Sequence, residues 1–454
     1  MIRNRMVLLA SLAALSGLSM VEPALAQPKK PAVPAAPAGA AVALKPVKPA
    51  KAGAVKEEAG PVIAYAGATV HLGNGEVLQD ATVVIAGGKI TQIGKGLAAP
   101  GGATLVPAKG LVITPGLVDA LTSVGLVEVD LESSTHSDQQ HATTDTDHAG
   151  YRAADGYNPA SVVIAVARSE GLTSVGVMPT GGLISGQSAW VDLDGATAEE
   201  AIAASPLALH VHLDGDAPGE GAGHGTAILK VREAFDDART FQKSRAAWER
   251  NQTRRFAPSR LDLEALAGAL DQKVPVVFHV DRAADILAAL NIAKEFKLRP
   301  VIAGGAEAWK VAPTLAAARV PVIVYPLQQP SSFDALGARE DNAAILDKAG
   351  VAVGISTGET HNARKLRQEA GNAVRSGLPH EVALAAITRV PAEALGMGAR
   401  YGTLAVGKTA NLVVWSGDPL EIGTQVIDVV IRGHRLPLKS RQSALLEKYR
   451  RLPR

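Results

Sequence analysis

The sequence predicts an α/β protein: a (β/α)8 TIM-type barrel with a small β-domain assembled from segments on both sides of it. Three observations predict this. Between Thr114 and Tyr401, apolar strand-like runs alternate with helical patterns over about 290 residues, a length that fits eight βα units. Strand-rich segments stand on both sides of that stretch. No G-x-G-x-x-G or phosphate loop follows any strand candidate, which weakens an open doubly wound sheet, the runner-up.

Taken in order, the chain begins with MIRNRMVLLASLAALSGLSMVEPALAQ. Arg3 and Arg5 make a positive start, Met6 to Leu18 an apolar core, and Ala24-Leu25-Ala26 a cleavage site, so residues 1–26 read as a signal peptide. The expected location is the periplasm or the exterior. The apolar run is short for a spanning helix, so no integral membrane segment is expected after cleavage. Residues 27–60 are almost only Ala, Pro, Lys, Val and Gly; they cannot bury enough surface to offset their ordering entropy and read as a disordered linker. Residues 61–113 carry several β-rich runs separated by the turn signals Gly73-Asn74-Gly75 and Gly87-Gly88. Residues 402–438 have the same texture. Residues 114–401 are the alternating middle, with strand candidates such as Leu172–Met178, Leu207–Leu213, Val274–Val280, Val320–Tyr325 and Val351–Ile355. A long helix over Leu229–Asn251 shows apolar positions Ala234, Phe235, Ala238 and Phe241 at helical spacing. Residues 439–454 read as a short basic amphipathic tail with Leu445, Leu446, Tyr449 and Leu452 in one stripe, expected to pack on the body, with binding to a membrane surface or a partner as the alternative.

Composition narrows the chemistry. The 454 residues carry a formal charge of +2, which implies no pull toward nucleic acid. There is no cysteine, so thiolate nucleophiles, disulfides and Cys-type zinc sites are excluded. Metal chemistry would fall to the eleven histidines and the carboxylates.

Leu111 to Ser123, LVITPGLVDALTS, resembles the start of the barrel in the amidohydrolase superfamily, where P-G-L-[IV]-D-x-H-x-H delivers two metal-binding histidines. EGLTSVGVMPTGGLISGQSAWVDLDG, VPVVFHVDRAADILAALNIAKEF, RPVIAGGAEAW and VAVGISTGETHNARKLRQEAGNAVRSGLPHEVALAAITRVPAEALGM follow in order. They are similar to later strands and helices of the imidazolonepropionase-like branch. GTLAVGKTANLVVW resembles the family's closing signature. The resemblance spans about Val62 to Leu438 and implies that the β-domain is a β-sandwich.

The same resemblance implies a metal-dependent hydrolase of C–N bonds in cyclic amides or dipeptide-like substrates, with a metal-activated water as nucleophile. Its ligand positions do not come across. Leu121 and Ser123 stand at the two strand-one histidines, Gly304 at the strand-six histidine and Gly358 at the strand-eight aspartate. His279 alone is kept, at strand five. Lys230 aligns poorly with a strand-four lysine, preceding a helix. One imidazole cannot hold a catalytic zinc, which takes about three protein ligands. No cofactor is therefore expected at the standard site.

A rebuilt site would need other residues. His210 and His212 lie on one face of a strand-like run, with His224 in the Gly-rich loop beyond. They are candidates for a divalent metal such as zinc; the alternative is two facing strand residues with no metal. His136, His141 and His148 with Asp138, Asp145 and Asp147 form a polar loop after strand one, a lid or a cation site over the barrel mouth. Glu359 and His361, just past strand eight, are candidate acid–base partners, and Glu359 a replacement for the lost aspartate. Ser356 and Thr357 have no evident base.

Three functions are therefore open. The first is a non-hydrolytic member that binds a small-molecule ligand in the barrel mouth or supports an active paralogue or a second copy of itself. The others are an active hydrolase with re-sited or partner-supplied ligands, and a metal-free enzyme in the same pocket.

Overall fold

A computed structural model describes residues 61–138, 148–213, 223–327 and 332–450. The leader and linker expectations, and those for His141, Asp145 and Asp147, lie outside the described residues.

The first strands are β1 (Ile63–His71), β2 (Val77–Ala86), β3 (Lys89–Lys95), β4 (Thr104–Pro107) and β5 (Val112–Pro115). The glycine turns do what their sequence suggests. Gly73 and Gly75 have φ of 82° and 93° between β1 and β2, and Gly87 and Gly88 have φ of 55° and 72° between β2 and β3. Both pairs therefore occupy conformations that cost other residues energy. The middle of the chain supplies β6 (Leu117–Thr122), β7 (Leu172–Val177), β8 (Ile184–Gln187), β9 (Ala189–Asp192), β10 (Ile202–Ala204), β11 (Leu209–His212), β12 (Val276–Val280), β13 (Pro300–Gly304), β14 (Val322–Val324) and β15 (Val353–Ile355). Then come β16 (Leu412–Trp415), β17 (Val426–Ile431) and β18 (His434–Leu436).

Strands from both flanks of the middle pair in one eight-stranded sheet, ordered β18-β17-β16-β5-β1-β2-β3 with β4 beside β1. The join is β5 against β16, antiparallel, with Val112 opposite Trp415. Trp415 Nε1 donates to Thr114 Oγ1 at 2.9 Å across it. In hydrogen-bonding terms the expected two-layered sandwich is a single sheet.

The middle is mixed α/β. Its strands form a six-stranded sheet, β15-β14-β13-β12-β11-β8, and a four-stranded sheet, β10-β9-β7-β6. The run β11 to β15 is parallel throughout, as is β6 with β7. Among the described residues no backbone ladder closes these sheets into a ring. Short antiparallel strands β8, β9 and β10, which the sequence reading did not separate, intervene on one side. There Ser188 links the sheets through its N–H to Ala208 O, 2.9 Å, and its own carbonyl to Leu207 N, 2.8 Å. On the other side β15 meets β6 through a side chain, with Leu121 N donating to Ser356 Oγ at 3.2 Å.

Outer strand faces pack on helices such as Ala283–Phe296 and Arg260–Leu270 around Phe235, Phe241 and Phe278. An inner cluster of Leu121, Met178, Trp190, Val277, Val301 and Ile323 fills the space the strands face. Asn411 Nδ2, Ser174 Oγ and Tyr401 Oη all donate to Asp192 or to one another at 2.7–3.0 Å, tying β16's approach to β7 and β9.

Two expectations are corrected. The long helix runs His224–Glu249 and includes Lys230 rather than following it; it breaks at Ser244, whose φ is −122°. The cause is visible: Ser244 Oγ donates to Thr240 O at 2.7 Å, competing with the helical ladder. Against the expectation that it packs on the body, the tail helix, Arg441–Tyr449, has no buried residue.

Candidate functional site

The candidate site lies where β6, β11, β12, β13 and β15 end. Alternation along β11 puts His210 and His212 on one face, and the parallel register sets His212 opposite His279 of β12. Three histidines thus meet. His210 Nδ1 lies 3.0 Å from His279 Nε2. His212 stacks on His279 with ring centroids 4.2 Å apart and planes 9° from parallel. Ser185 Oγ of β8 lies 3.3 Å from His212 Nε2.

Burial and neighbouring imidazoles set their protonation. His210 is fully buried, and burial, followed by His212, pushes its pKa down to about 3. His279 is held well below the ordinary value by burial, then His212 and His210. Both rings are neutral at pH 7, so one donates to the other. His210 Nε2 is buried with no hydrogen-bond partner. The tautomer that orphans no donor carries the proton on His210 Nδ1 and gives it to His279 Nε2. That arrangement occupies the lone pair of the one histidine kept at a family ligand position.

These depressed values have a pH consequence. The unfolded imidazoles bind protons below about 6.5, whereas the folded ones resist them down to about pH 3 for His210. The contribution of these histidines to stability is therefore complete above about pH 6.5 and is lost as pH drops. Each such histidine contributes a slope of about 1.4 kcal/mol per pH unit. His210→Gln should flatten the acid limb of a urea-midpoint profile between pH 6.5 and 4.5; an unchanged limb would refute the neutral pair.

The remaining ligand positions are filled or closed. Leu121 is fully buried in the inner cluster. Ser123 Oγ donates to Asp138 Oδ2 at 3.0 Å, where Thr180 Oγ1 also reaches at 3.3 Å and His136 Nδ1 stands 3.3 Å from Oδ1. The serine thus anchors the loop after β6. Gly304 has φ of 84°, and a Cβ there would lie 2.7 Å from Asp281 Oδ1. Asp281 Oδ1 in turn accepts from Ala306 N at 3.1 Å, so a histidine at 304 would have to displace it. Gly358 has φ of 65°.

Other candidates turn elsewhere. His224 Nδ1 faces Asp285 Oδ2 at 3.1 Å and the Leu213 carbonyl at 3.2 Å, and its Nε2 faces Asp334 Oδ1 at 3.3 Å. His361 places Nδ1 3.0 Å from Asp130 Oδ2 and Nε2 3.0 Å from the Glu128 carbonyl, which ties it to the loop after β6 rather than to Glu359. Glu359 N donates to Thr357 Oγ1 at 3.2 Å. Among the described residues, no group of three or more His, Asp and Glu is placed to hold a metal ion.

Sequence reasoning missed the carboxylates at the β6–β15 junction. Asp119, fully buried, accepts from Ser356 Oγ, Thr357 Oγ1 and, at 3.2 Å, Thr357 N. Burial pushes its pKa up to about 7. Glu369, on the helix Leu366–Arg375, accepts from Leu327 N at 2.6 Å. It too is raised to about 7, by burial first and then by Asp119 and Glu359. An aspartate in the apolar run GLVDALT was the available signal.

Comparison with known proteins gives concordant matches. A family model described as amidohydrolase family matches residues 347–436. Amidohydrolase tasK of Hapsidospora irregularis is 26% identical over 400 residues, covering 77% of this chain and 39% of tasK. A dihydroorotase of Geobacter sulfurreducens is 36% identical over 110 residues, 23% of this chain and 25% of its own. The chain thus spans well under half the length of these curated relatives. Among solved structures, an amidohydrolase from Thermotoga maritima MSB8 superposes with a TM-score of 0.75 at 27% identity, covering 82% of this chain and 99% of that one. A prolidase complexed with N-methylphosphonate-L-proline superposes at 0.53 and 18% identity, covering 83% and 99%.

Proposed function

Because the chain belongs to the amidohydrolase superfamily, we propose that it keeps the family's (β/α)8 frame and has given up metal-dependent hydrolysis. It acts instead by holding a small-molecule ligand at the strand ends or by supporting an active partner. The two mixed sheets, with their parallel runs β6–β7 and β11–β15, are read as arcs of one barrel, with Ser188 and Ser356 at the two seams.

The observation that carries the reading is the His210–His279 bond at 3.0 Å. A metal ligand must offer a free, unprotonated ring nitrogen, and His279 Nε2 is engaged. Leu121, Gly304 and Gly358 offer no donor at the other positions. The residues present do not fit the family's metal, so no chemical step is assigned to one. What gathers at the site is the imidazoles of His210, His212 and His279 with Ser185 Oγ, groups of a kind that hydrogen-bond an uncharged amide-like group. Residues 1–26 are the proposed export signal, with the mature chain starting at Gln27 and acting in the periplasm or outside the cell.

The purified protein should contain well under one equivalent of transition metal by elemental analysis. It should also show no chelator-sensitive turnover of cyclic amides or dipeptides. Stoichiometric zinc with turnover abolished by chelation and restored by zinc would overturn the proposal and install the re-sited hydrolase.

A further inference from the structure

The tail helix Arg441–Tyr449 is well formed, yet none of its residues is buried. A capping box at Ser440 and Ser443 starts it, with N–H groups donating reciprocally at 2.9 and 3.2 Å. Leu445, Leu446 and Tyr449 are 44%, 67% and 59% exposed. Three large apolar side chains on so short a helix are a cost in water unless something covers them.

The arrangement of charge around that stripe indicates what covers it. At about 100° per residue, Leu445, Tyr449 and Leu446 fall in an arc of about 100°, with Gln442 at its N-terminal end. Arg441 and Lys448 border the arc on one side and Arg450 on the other, while Glu447 lies on the far side. Residues 439–454 hold six Lys and Arg against one Glu. The whole chain is only +2, so residues 61–438 are net negative and the cationic excess sits at the two ends of the chain, in residues 1–60 and in this tail. Cations on both edges of an apolar stripe, with an interfacial tyrosine, match a surface that is apolar beneath and anionic above.

We propose that the helix Arg441–Tyr449 is a docking element for an anionic lipid surface, lying in the headgroup plane with Leu445, Leu446 and Tyr449 inserted and Arg441, Lys448 and Arg450 on lipid phosphates. A protein groove would reward the stripe but has no need of cations along both of its edges. The lipid surface uses every one of these groups. Neither the stripe nor the charge suffices alone on a helix this short, so binding requires both and is reversible.

The test uses the full chain and phosphatidylcholine vesicles with and without about one third phosphatidylglycerol. Cosedimentation should favour the anionic vesicles by about tenfold or more and fall steeply as salt rises from about 0.1 to about 1 M. Leu446→Glu should remove the preference, and Arg441→Gln with Lys448→Gln should reduce it about tenfold. Because no residue of the helix is buried, these variants should melt like the wild type. Comparing them within the full chain cancels any binding by the N-terminal segment. Equal binding to both vesicle types, no effect of the variants, or self-association lost in Leu446→Glu without vesicle binding would each overturn the proposal. The last outcome would assign the face to a second copy of the chain.

Discussion

Gly176→Ala should cost about 3 kcal/mol or more of stability and most of the soluble yield. A Cβ at 176 would stand 2.0 Å from Ala120 O and 2.9 Å from Ala120 C. Both are backbone atoms of β6, so no rotamer change relieves the clash; β7 must shift away from β6. The pairing there is already irregular, with breaks in register after Leu117 and after Asp119, and the Asp119 network hangs from the same stretch of β6. Gly268→Ala is the control. Gly268 lies in the helix Arg260–Leu270, and an added Cβ meets nothing within 4 Å. There the substitution should stabilise by about 0.5–1 kcal/mol through helix propensity. Urea midpoints measure both. A Gly176→Ala protein within about 1 kcal/mol of wild type would mean that the strands can part without loss.

Asp119→Asn should reverse part of the protein's response to pH. The folded carboxyl is pushed up to about 7 by burial, while an unfolded aspartate titrates near 3.9. Between those values the folded chain keeps a proton that the unfolded chain has released. The stabilising effect of this group is therefore complete below about pH 4 and is lost as pH rises to about 7, at up to about 1.4 kcal/mol per pH unit. Glu369 acts in the same direction. Asparagine can accept from Thr357 N and donate to Ser356 Oγ, so it preserves the connection without titrating. The Asn variant should lose less stability than wild type on going from pH 5 to pH 8. Superimposable profiles would rule out a protonated Asp119. This slope opposes that of His210 and His279, so wild-type stability should peak at mildly acidic pH.

The sequence exposed the frame more readily than the site, for physical reasons. Strand candidates such as Val274–Val280 were legible because strands buried on both faces are continuous apolar runs, and β12 spans Val276–Val280. Strands β8 to β10 were not, because each has three or four residues and no periodicity can register in so few. The losses at Leu121, Ser123, Gly304 and Gly358 could be read from residue identity alone. That His279 spends a ring nitrogen on His210 could not, because ring orientation depends on register between β11 and β12. His224 illustrates the same limit: its partners come from two distant elements, Asp285 from the first turn of the helix Ala283–Phe296 and Asp334 from the short 3-10 turn Phe333–Ala335. Asp119 was overlooked because its partners, Ser356 and Thr357, lie at the far end of the middle segment.

The β5–β16 ladder also constrains the order in which the molecule is assembled. Val112 cannot meet Trp415 until about three hundred intervening residues have been threaded, so the closure comes late and is kinetically slow. Until then β5 presents an unpaired edge, the kind of template on which chains aggregate. Rearranging the connectivity so that β16 follows β5 directly should therefore speed folding, with the contacts of the finished sheet unchanged.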